Sequence, residues 1–133
     1  MRLLIDANVI LDVLLDREGA ERSEQVIHRC RGRDDGWVSW HTLSILSYYI
    51  GKRHSGRFRE IMEEMLAWAH VAETTDLHAR MALQWAFRDF EDAMQASAAV
   101  ACGAGFIITG NIRDFTKSPV PALSPEDYLQ QHP

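Results

Sequence analysis

Two short apolar runs constrain the fold of this chain most, because each of them leads directly into polar residues. The first is RLLI over residues 2–5, which ends at Asp6. The second is FIIT over residues 106–109, which leads into a polar stretch containing Asn111 and Asp114. Short runs without polar alternation are typical of strands buried on both faces, as in parallel sheets covered by helices. The two runs therefore predict inner strands of a parallel sheet.

The rest of the chain alternates between helical and strand-like patterns. Residues 37–39 and 70–73 predict two more strands, and residues 34–36 predict a turn. Apolar residues three and four apart, with capping signals, predict helices over 8–16, 21–31, 41–54, 56–69, 77–88 and 91–102, and one that begins after Ser124, with Asp76 as the cap of the fifth. This alternation predicts a single α/β domain over residues 1–133, with a short parallel sheet between two layers of helices.

Charge and composition narrow the class of protein. The net charge of −5 argues against a protein that coats nucleic acid through its overall charge, but it leaves room for a local acidic site. Cys30 and Cys102 form no CxxC pair and are predicted to be reduced thiols, buried or half-buried. No apolar run of about 18 residues predicts a membrane span, and Asp6 and Asp12 interrupt the first apolar stretch, which argues against a signal peptide. We therefore expect a cytoplasmic protein without membrane contact.

The basic residues form two clusters. One consists of Arg29, Arg31 and Arg33; the other consists of Lys52, Arg53, Arg57 and Arg59, with His54 among them. Such clusters are either solvated helix ends or a rim that contacts phosphate groups around an acidic site. The second cluster supplies candidate RNA-binding residues: Arg53, Arg57 and Arg59.

Acidic residues follow the predicted inner strands. Because right-handed crossovers bring the ends of parallel strands to one edge, Asp6, Asn111 and Asp114 are expected to converge there. Asp92 opens the alanine-rich helix that leads into the last of these strands, so it is expected at the same edge. Carboxylates this close repel one another unless cations or protons neutralise them. An oxygen-only donor set favours Mg²⁺ or Mn²⁺, which could activate water against a phosphodiester.

Each of these residues also has an ordinary structural interpretation. Asp6 could cap the following helix, Asp92 could be a first-turn acid, and Asn111 and Asp114 could be turn residues. Their joint placement at strand ends is what favours a site. The sequence contains no HExxH, GxSxG, P-loop or GxGxxG motif, so other common catalytic classes lack a signal.

Several segments resemble PIN domains. LLIDANVILDVLLDRE resembles the opening strand and helix of this family, and Ser39 with the stretch 41–44 resembles the next strand–helix junction. FEDAMQASAAVACGAGFIIT resembles the helix and strand of the branch with a FED motif, TGNIRDF resembles its TRNxxDF element, and SPVPALSPE resembles its closing stretch. The match spans nearly the whole chain in the correct order.

The resemblance implies a metal-dependent endoribonuclease. Many relatives are toxins of bacterial toxin–antitoxin pairs, of the type named virulence-associated protein C, and many are dimers. It thus implies a hydrolase with an RNA substrate, Mg²⁺ or Mn²⁺ as cofactor, an antitoxin partner and a homodimer. The catalytic, metal-binding acids of the family carry over as Asp6, Asp92 and Asp114, with Asn111 where many relatives have aspartate.

One departure from the family pattern keeps alternatives open. Many PIN nucleases carry a glutamate at the position of Ile45, which cannot bind metal, so a catalytically weak module that binds RNA or protein is one alternative. Glu91 is a candidate to compensate. A haloacid-dehalogenase-like phosphatase is another alternative, because Asp6-Ala7-Asn8 follows an apolar strand. Asn8 cannot serve as the second acid of that mechanism, which argues against it.

Overall fold

The structure is a computed structural model that describes residues 1–53 and 55–133, without the side chains of Arg53 and Ser55. Within these residues, five strands alternate with seven α-helices. The strands are β1 (Arg2–Ile5), β2 (Asp35–Val38), β3 (Ala69–Val71), β4 (Phe106–Ile108) and β5 (Ala122–Leu123). The helices are α1 (Ala7–Leu14), α2 (Ala20–Arg29), α3 (Trp40–Arg53), α4 (Phe58–Trp68), α5 (Asp76–Gln84), α6 (Phe90–Cys102) and α7 (Pro125–Gln131). Two 3-10 helices cover Ser55–Arg57 and Ile112–Phe115.

The strands form one parallel sheet in the order β3-β2-β1-β4-β5. β1 lies at its centre, and Leu4 is in register with Trp37 of β2 on one side and Ile107 of β4 on the other. Leu3, Leu4 and Ile5 are fully buried, as expected for a strand covered on both faces. The α/β fold with three layers and a short parallel sheet is thus confirmed.

Successive side chains of β1 point into two different cores. Leu3 and Ile5 belong to the larger apolar cluster, which includes residues of α1, α2, α3, α4 and α7. Leu4 belongs to the smaller cluster, together with Ala96 and Ala99 of α6. Because these alanines are small, α6 can lie close against the sheet. The N-terminus of α6 is therefore held next to the ends of β1 and β4.

Several predicted boundaries shift in the structure. Asp35 and Gly36, predicted in a turn, instead begin β2, because they pair with β1 and thereby satisfy their backbone groups. Thr75 rather than Asp76 caps α5, through a capping box with His78, and α5 ends at Gln84. The helix predicted over 56–69 starts at Phe58, and His54, the predicted end of the helix before it, lies outside the described residues.

Two short elements were not predicted. The 3-10 helix Ile112–Phe115 has four residues and β5 has two, too few to show a period in the sequence. Phe115, almost fully buried in the smaller cluster, fixes this 3-10 helix to the body of the fold. It therefore determines where the preceding residue, Asp114, is held.

The sequence also made predictions about the two cysteines and about membrane spans. Cys30 and Cys102 are both free and buried. The pKa of the Cys30 thiol is raised to about 12, first by burial and then by the nearby Asp34 and Asp35 charges, so this cysteine is a packing residue rather than a nucleophile. Among the described residues, no helix is both long and apolar enough to cross a bilayer.

The close approach of β2 and α4 gives a test of the packing. A Cβ atom on Gly36 would lie 2.9 Å from Cε3 of Trp68 and 3.0 Å from Cβ of Cys30. Gly36→Ala should lower the free energy of unfolding by about 1–3 kcal/mol, because buried neighbours must move. Gly51 on α3 has open space around it, so Gly51→Ala is the matched control and should be neutral or stabilising by up to about 1 kcal/mol. Urea unfolding measures both, and equal values would contradict this packing.

Candidate active site

The candidate site lies at the carboxyl edge of the sheet, between β1 and β4. In the strand order observed, the connections from these two neighbouring strands lead to opposite sides, and open α/β sheets bind ligands at such a switch point. The backbone N–H of Asp6 donates to the carbonyl oxygen of Ile108 at 2.9 Å. Asp6 is therefore held beside the end of β4, as the sequence predicted.

The Asp6 carboxylate is buried and bonded on both oxygens. Only 7% of the residue is exposed. Its Oδ1 accepts a hydrogen bond from Nε2 of Gln95 at 2.9 Å, and its Oδ2 accepts one from the Thr109 hydroxyl at 2.8 Å. Burial, and to a smaller extent the charge of Asp114, raises the pKa of Asp6 above its usual value. The bonds from Thr109 and Gln95 and one from the backbone of Ala7 oppose that rise, because they favour the charged form.

Gln95 connects Asp6 to the junction of β2 and α3. Its Nε2 also donates to the Thr42 hydroxyl oxygen at 2.9 Å, and its Oε1 accepts a hydrogen bond from the Ser39 hydroxyl. The Ser39 oxygen in turn accepts from the backbone N–H of Thr42 at 3.0 Å, which caps the first turn of α3. Sequence reasoning missed Gln95. The available signal was a polar residue on the alanine-rich face of α6, three positions after Asp92.

Asp92 and Asp114 lie near Asp6. Asp92 is half-buried in the first turn of α6, and Asp114 is exposed in the 3-10 helix Ile112–Phe115. The pKa of Asp92 is raised to about 7, first by burial and then by the charges of Asp114, Asp89, Asp6 and Glu91, in that order of importance. The three predicted acids thus lie within range of one another's charges.

Asn111 lies at the same edge and is exposed. Its backbone N–H donates to the Thr109 hydroxyl oxygen at 3.0 Å, and the neighbouring N–H of Gly110 donates to Oδ1 of Asn8 at 3.2 Å. These bonds fix the turn that follows β4. Asn8 therefore serves this turn, and it offers no second acid for a phosphatase mechanism.

The chemistry of the donors fits a hard divalent cation. Asp6, Asp92 and Asp114 offer oxygen ligands only, and no ion pair between described residues involves any of them. However, across the described part of the chain, no three His, Cys, Asp or Glu side chains stand at distances that would hold a metal ion. The three acids therefore lie close enough to influence one another's charge, but their side chains do not stand at metal-binding distances from one another.

The arginines proposed to bind RNA are not brought to this edge by any recorded contact. Arg57 pairs with Glu60 at 3.2 Å and Arg59 pairs with Glu63 at 2.8 Å, while the side chain of Arg53 is outside the described part of the structure. α3 begins next to the site and, with 14 residues, is about 20 Å long. Arg53 is at its far end, so its role in RNA binding stays a prediction.

Ile45 and Glu91 occupy the positions where the family pattern raised doubt. Ile45 is half-buried and packs against the larger apolar cluster, so no carboxylate enters the site from α3. Glu91 is exposed, and its Oε1 lies 3.5 Å from Nε2 of His41. Glu91 therefore contributes negative charge near Asp92 from a position beside the start of α3.

Comparisons with known proteins place the chain in a family. The model of the PIN domain matches residues 2–113. A comparison with curated proteins gave no match.

Two solved structures share the fold. The chain is similar to the crystal structure of VapBC2 from Rickettsia felis bound to a DNA fragment from their promoter, with a TM-score of 0.70 and 15% identity over 93% of this chain and 98% of that one. It is also similar to FitAcB from Neisseria gonorrhoeae, with a TM-score of 0.67 and 16% identity over the same shares. At these identities the likeness concerns the fold alone.

The raised pKa of Asp92 predicts how stability depends on pH. The pKa is about 7 in the folded chain, against an ordinary value of 3.8. Below about pH 4, Asp92 is protonated in both the folded and the unfolded state. As pH rises towards 7, the unfolded state releases its proton first, so the folded state loses stability. This loss ends once pH exceeds the pKa of the folded state. The metal-free protein should therefore have a lower Tm at pH 8 than at pH 5, by a few degrees.

Two Asp→Asn variants separate the contribution of Asp92 to this pH dependence from that of the other titrating groups. Asp92→Asn should flatten the decline in Tm between pH 5 and 8 and raise the Tm at pH 8. Asp35→Asn makes the same chemical change at the first residue of β2, at the edge of the sheet opposite the site. Its Tm should decline with pH as steeply as that of wild type. Calorimetry in the presence of a chelator gives the Tm values. An Asp92→Asn profile parallel to wild type would contradict the raised pKa.

Proposed function

The chain belongs to the PIN domain family, and we propose from this membership and from its acidic edge that it is a metal-dependent endoribonuclease that hydrolyses RNA phosphodiesters. PIN domains are generally nucleases. The observation that carries the proposal is that Asp6, Asp92 and Asp114 lie within range of one another's charges at the switch point of the sheet, where no described residue forms an ion pair with them.

The three acids would hold Mg²⁺ or Mn²⁺, with the side-chain oxygen of Asn111 assisting. A divalent cation supplies activation of water and stabilisation of the charge that develops on the phosphodiester. Asp6 acts as the fixed ligand, because Gln95 and Thr109 hold its two oxygens. Asp92 and Asp114 add the negative charge that attracts the cation, and Asp92 releases its proton near neutral pH.

The RNA backbone would be held by Arg53, Arg57 and Arg59. The pairs that Arg57 and Arg59 make with Glu60 and Glu63 are exposed. Exposed ion pairs add little stability, so they can be exchanged for phosphate contacts.

A second candidate function is a PIN fold that binds RNA without cutting it. Ile45 favours this candidate, because the acid that many relatives carry at this position is missing and the half-buried isoleucine packs against the larger apolar cluster instead. This candidate predicts weak metal binding and RNA binding without products. The cleavage experiment below distinguishes it from the nuclease.

We also propose that the protein is a homodimeric toxin neutralised by an antitoxin. Support comes from the fold shared with the VapBC2 and FitAcB structures. A groove of about 820 Å³ on the other side of the fold offers apolar surface for a partner; its apolar lining comes from Ile10, Val13, Leu14, Ile27, Leu46, Ile61, Met62, Met65, Trp68 and Leu129. No acid of the candidate site lines it, so a partner there leaves the acidic edge open.

Cleavage of a mixed single-stranded RNA pool tests the nuclease. With Mn²⁺ the wild type should cleave, and a chelator should stop cleavage. Asp6→Asn and Asp92→Asn should each reduce the rate at least about a hundredfold, because a lost metal ligand removes stabilisation of the transition state. Asp35→Asn, at the opposite edge, should cleave like wild type. RNA binding without cleavage would establish the binding module instead, and cleavage indifferent to Asp92 would indicate a contaminant.

Co-expression with each short gene that flanks the gene of this protein tests the toxin role. The wild type should form a complex on size-exclusion chromatography. Met62→Glu should weaken that complex at least tenfold, because a charge is placed in the apolar groove, while RNA cleavage stays unchanged. If the wild type captures no such product, the toxin role is wrong and the nuclease proposal is unaffected.

A further inference from the structure

Gln95 is an unusual residue for its place in α6. It is only 2% exposed, in a helix whose other buried residues include Ala96, Ala98 and Ala99. A buried amide destabilises the fold unless its donors and acceptor are bonded, whereas alanine or leucine would pack here without that requirement. The presence of an amide therefore calls for a role beyond packing.

The oxygen and both hydrogens of the Gln95 amide form hydrogen bonds. Its carbonyl oxygen accepts from the Ser39 hydroxyl, and its nitrogen donates to Oδ1 of Asp6 and to the Thr42 hydroxyl oxygen, each at 2.9 Å. An amide nitrogen has two hydrogens, so both are used. A flipped amide would place its oxygen against the Asp6 carboxylate. The bond from Ser39 and the charge of Asp6 therefore select the same orientation.

We propose that Gln95 is a positioning residue, whose amide, oriented by Ser39, fixes the Asp6 carboxylate as a ligand for a divalent cation. The inference rests on the proposed function, because the cation is the one proposed there. Each carboxylate oxygen can accept more than one bond, so Oδ1 keeps a lone pair for a cation while it accepts from Gln95. Without this donor, Oδ1 of Asp6 would lose its side-chain partner, and the carboxylate would be held only by Thr109 and the backbone of Ala7.

Ser39 has two separable tasks in this arrangement. Its oxygen accepts from the backbone N–H of Thr42 at 3.0 Å, which stabilises the start of α3. Its hydroxyl hydrogen goes to Gln95, and none of its recorded hydrogen bonds goes to Asp6. The hydrogen-bonded route from Ser39 to Asp6 therefore passes through Gln95.

Gln95→Met tests the role of the amide with little change in side-chain length. The Ser39 and Thr42 hydroxyl oxygens are 3.2 Å apart and can bond to each other once the amide is gone, so the variant should fold. Calorimetric titration with Mn²⁺, without RNA, should show binding weakened by about 10–100-fold, which is typical when a group that orients a metal ligand is lost. In RNA cleavage kcat should fall, while KM for RNA stays within about twofold.

Ser97→Ala is the matched control on the same helix. Ser97 is also buried, and its hydroxyl donates to the backbone carbonyl of Met94 at 2.9 Å rather than to the site. Its Mn²⁺ affinity should equal that of wild type. A loss of affinity equal to that of Gln95→Met would show a general effect of α6 packing and would overturn the inference.

A double-mutant cycle supplies a result that a purely structural role would not give. Ser39→Ala should weaken Mn²⁺ binding when Gln95 is present and have no effect on it in the Gln95→Met background. The loss of stability from the missing cap should appear in both backgrounds. Equal effects of Ser39→Ala on Mn²⁺ affinity in the two backgrounds would overturn the inference.

Two further outcomes are distinguished by design. If Gln95→Met does not fold, Ser39→Thr decides, because it keeps the hydroxyl and should restore the Mn²⁺ affinity that Ser39→Ala loses; no restoration overturns the inference. A wild type that neither binds Mn²⁺ nor cleaves RNA overturns the proposed function, and this inference with it. A wild type that does both, with Gln95→Met unchanged, overturns the inference alone.

Discussion

The buried carboxylate of Asp6 is the constraint around which the rest of this edge is arranged. It follows the central strand directly and is 7% exposed, in a position where an unbonded charge would strongly destabilise the fold. Two hydrogen bonds make the position tolerable, one from the end of β4 through Thr109 and one from α6 through Gln95. The alanine-rich face of α6 serves the same end, because only a close approach of this helix to the sheet lets the Gln95 amide reach Asp6.

The other two acids have a different relation to stability. Asp92 and Asp114 form none of the ion pairs between described residues, and the pKa of Asp92 is raised to about 7, first by burial and then by the charge of Asp114. At neutral pH the Asp92 carboxyl therefore works against the folded state. A sequence that departs from local stability in this way does so most often at a functional site, where a ligand restores the balance. A cation bound by the folded chain alone would restore stability by mass action.

Much of this site could be predicted from the sequence, because strand ends in a parallel sheet follow from apolar runs. Asp6 was placed by the run before it, and Asp92 by the helix that leads back into β4. Gln95 could not be found in the same way, since its partners come from residues more than 50 positions away and a polar residue in a helix shows no partner in the sequence. Asp35 and Gly36 were wrongly predicted in a turn. Their residue types favour a turn, but pairing with β1 outweighs that local preference. The distances between the acids depend on the 3-10 helix that Phe115 anchors, which is too short to leave a pattern.

The missing acid at Ile45 then limits what the site can hold. Ile45 packs against the larger apolar cluster, so an acid at this position would add a possible metal ligand but lose that apolar contact. Glu91 is a poor replacement, because neighbouring residues on a helix point about 100° apart and Glu91 lies 3.5 Å from His41. Under the proposed function, three carboxylates and one amide would be left to hold a divalent cation. With one acid fewer than many relatives have, the orientation of each remaining ligand would matter more, and the hold of Gln95 on Asp6 would be the more consequential.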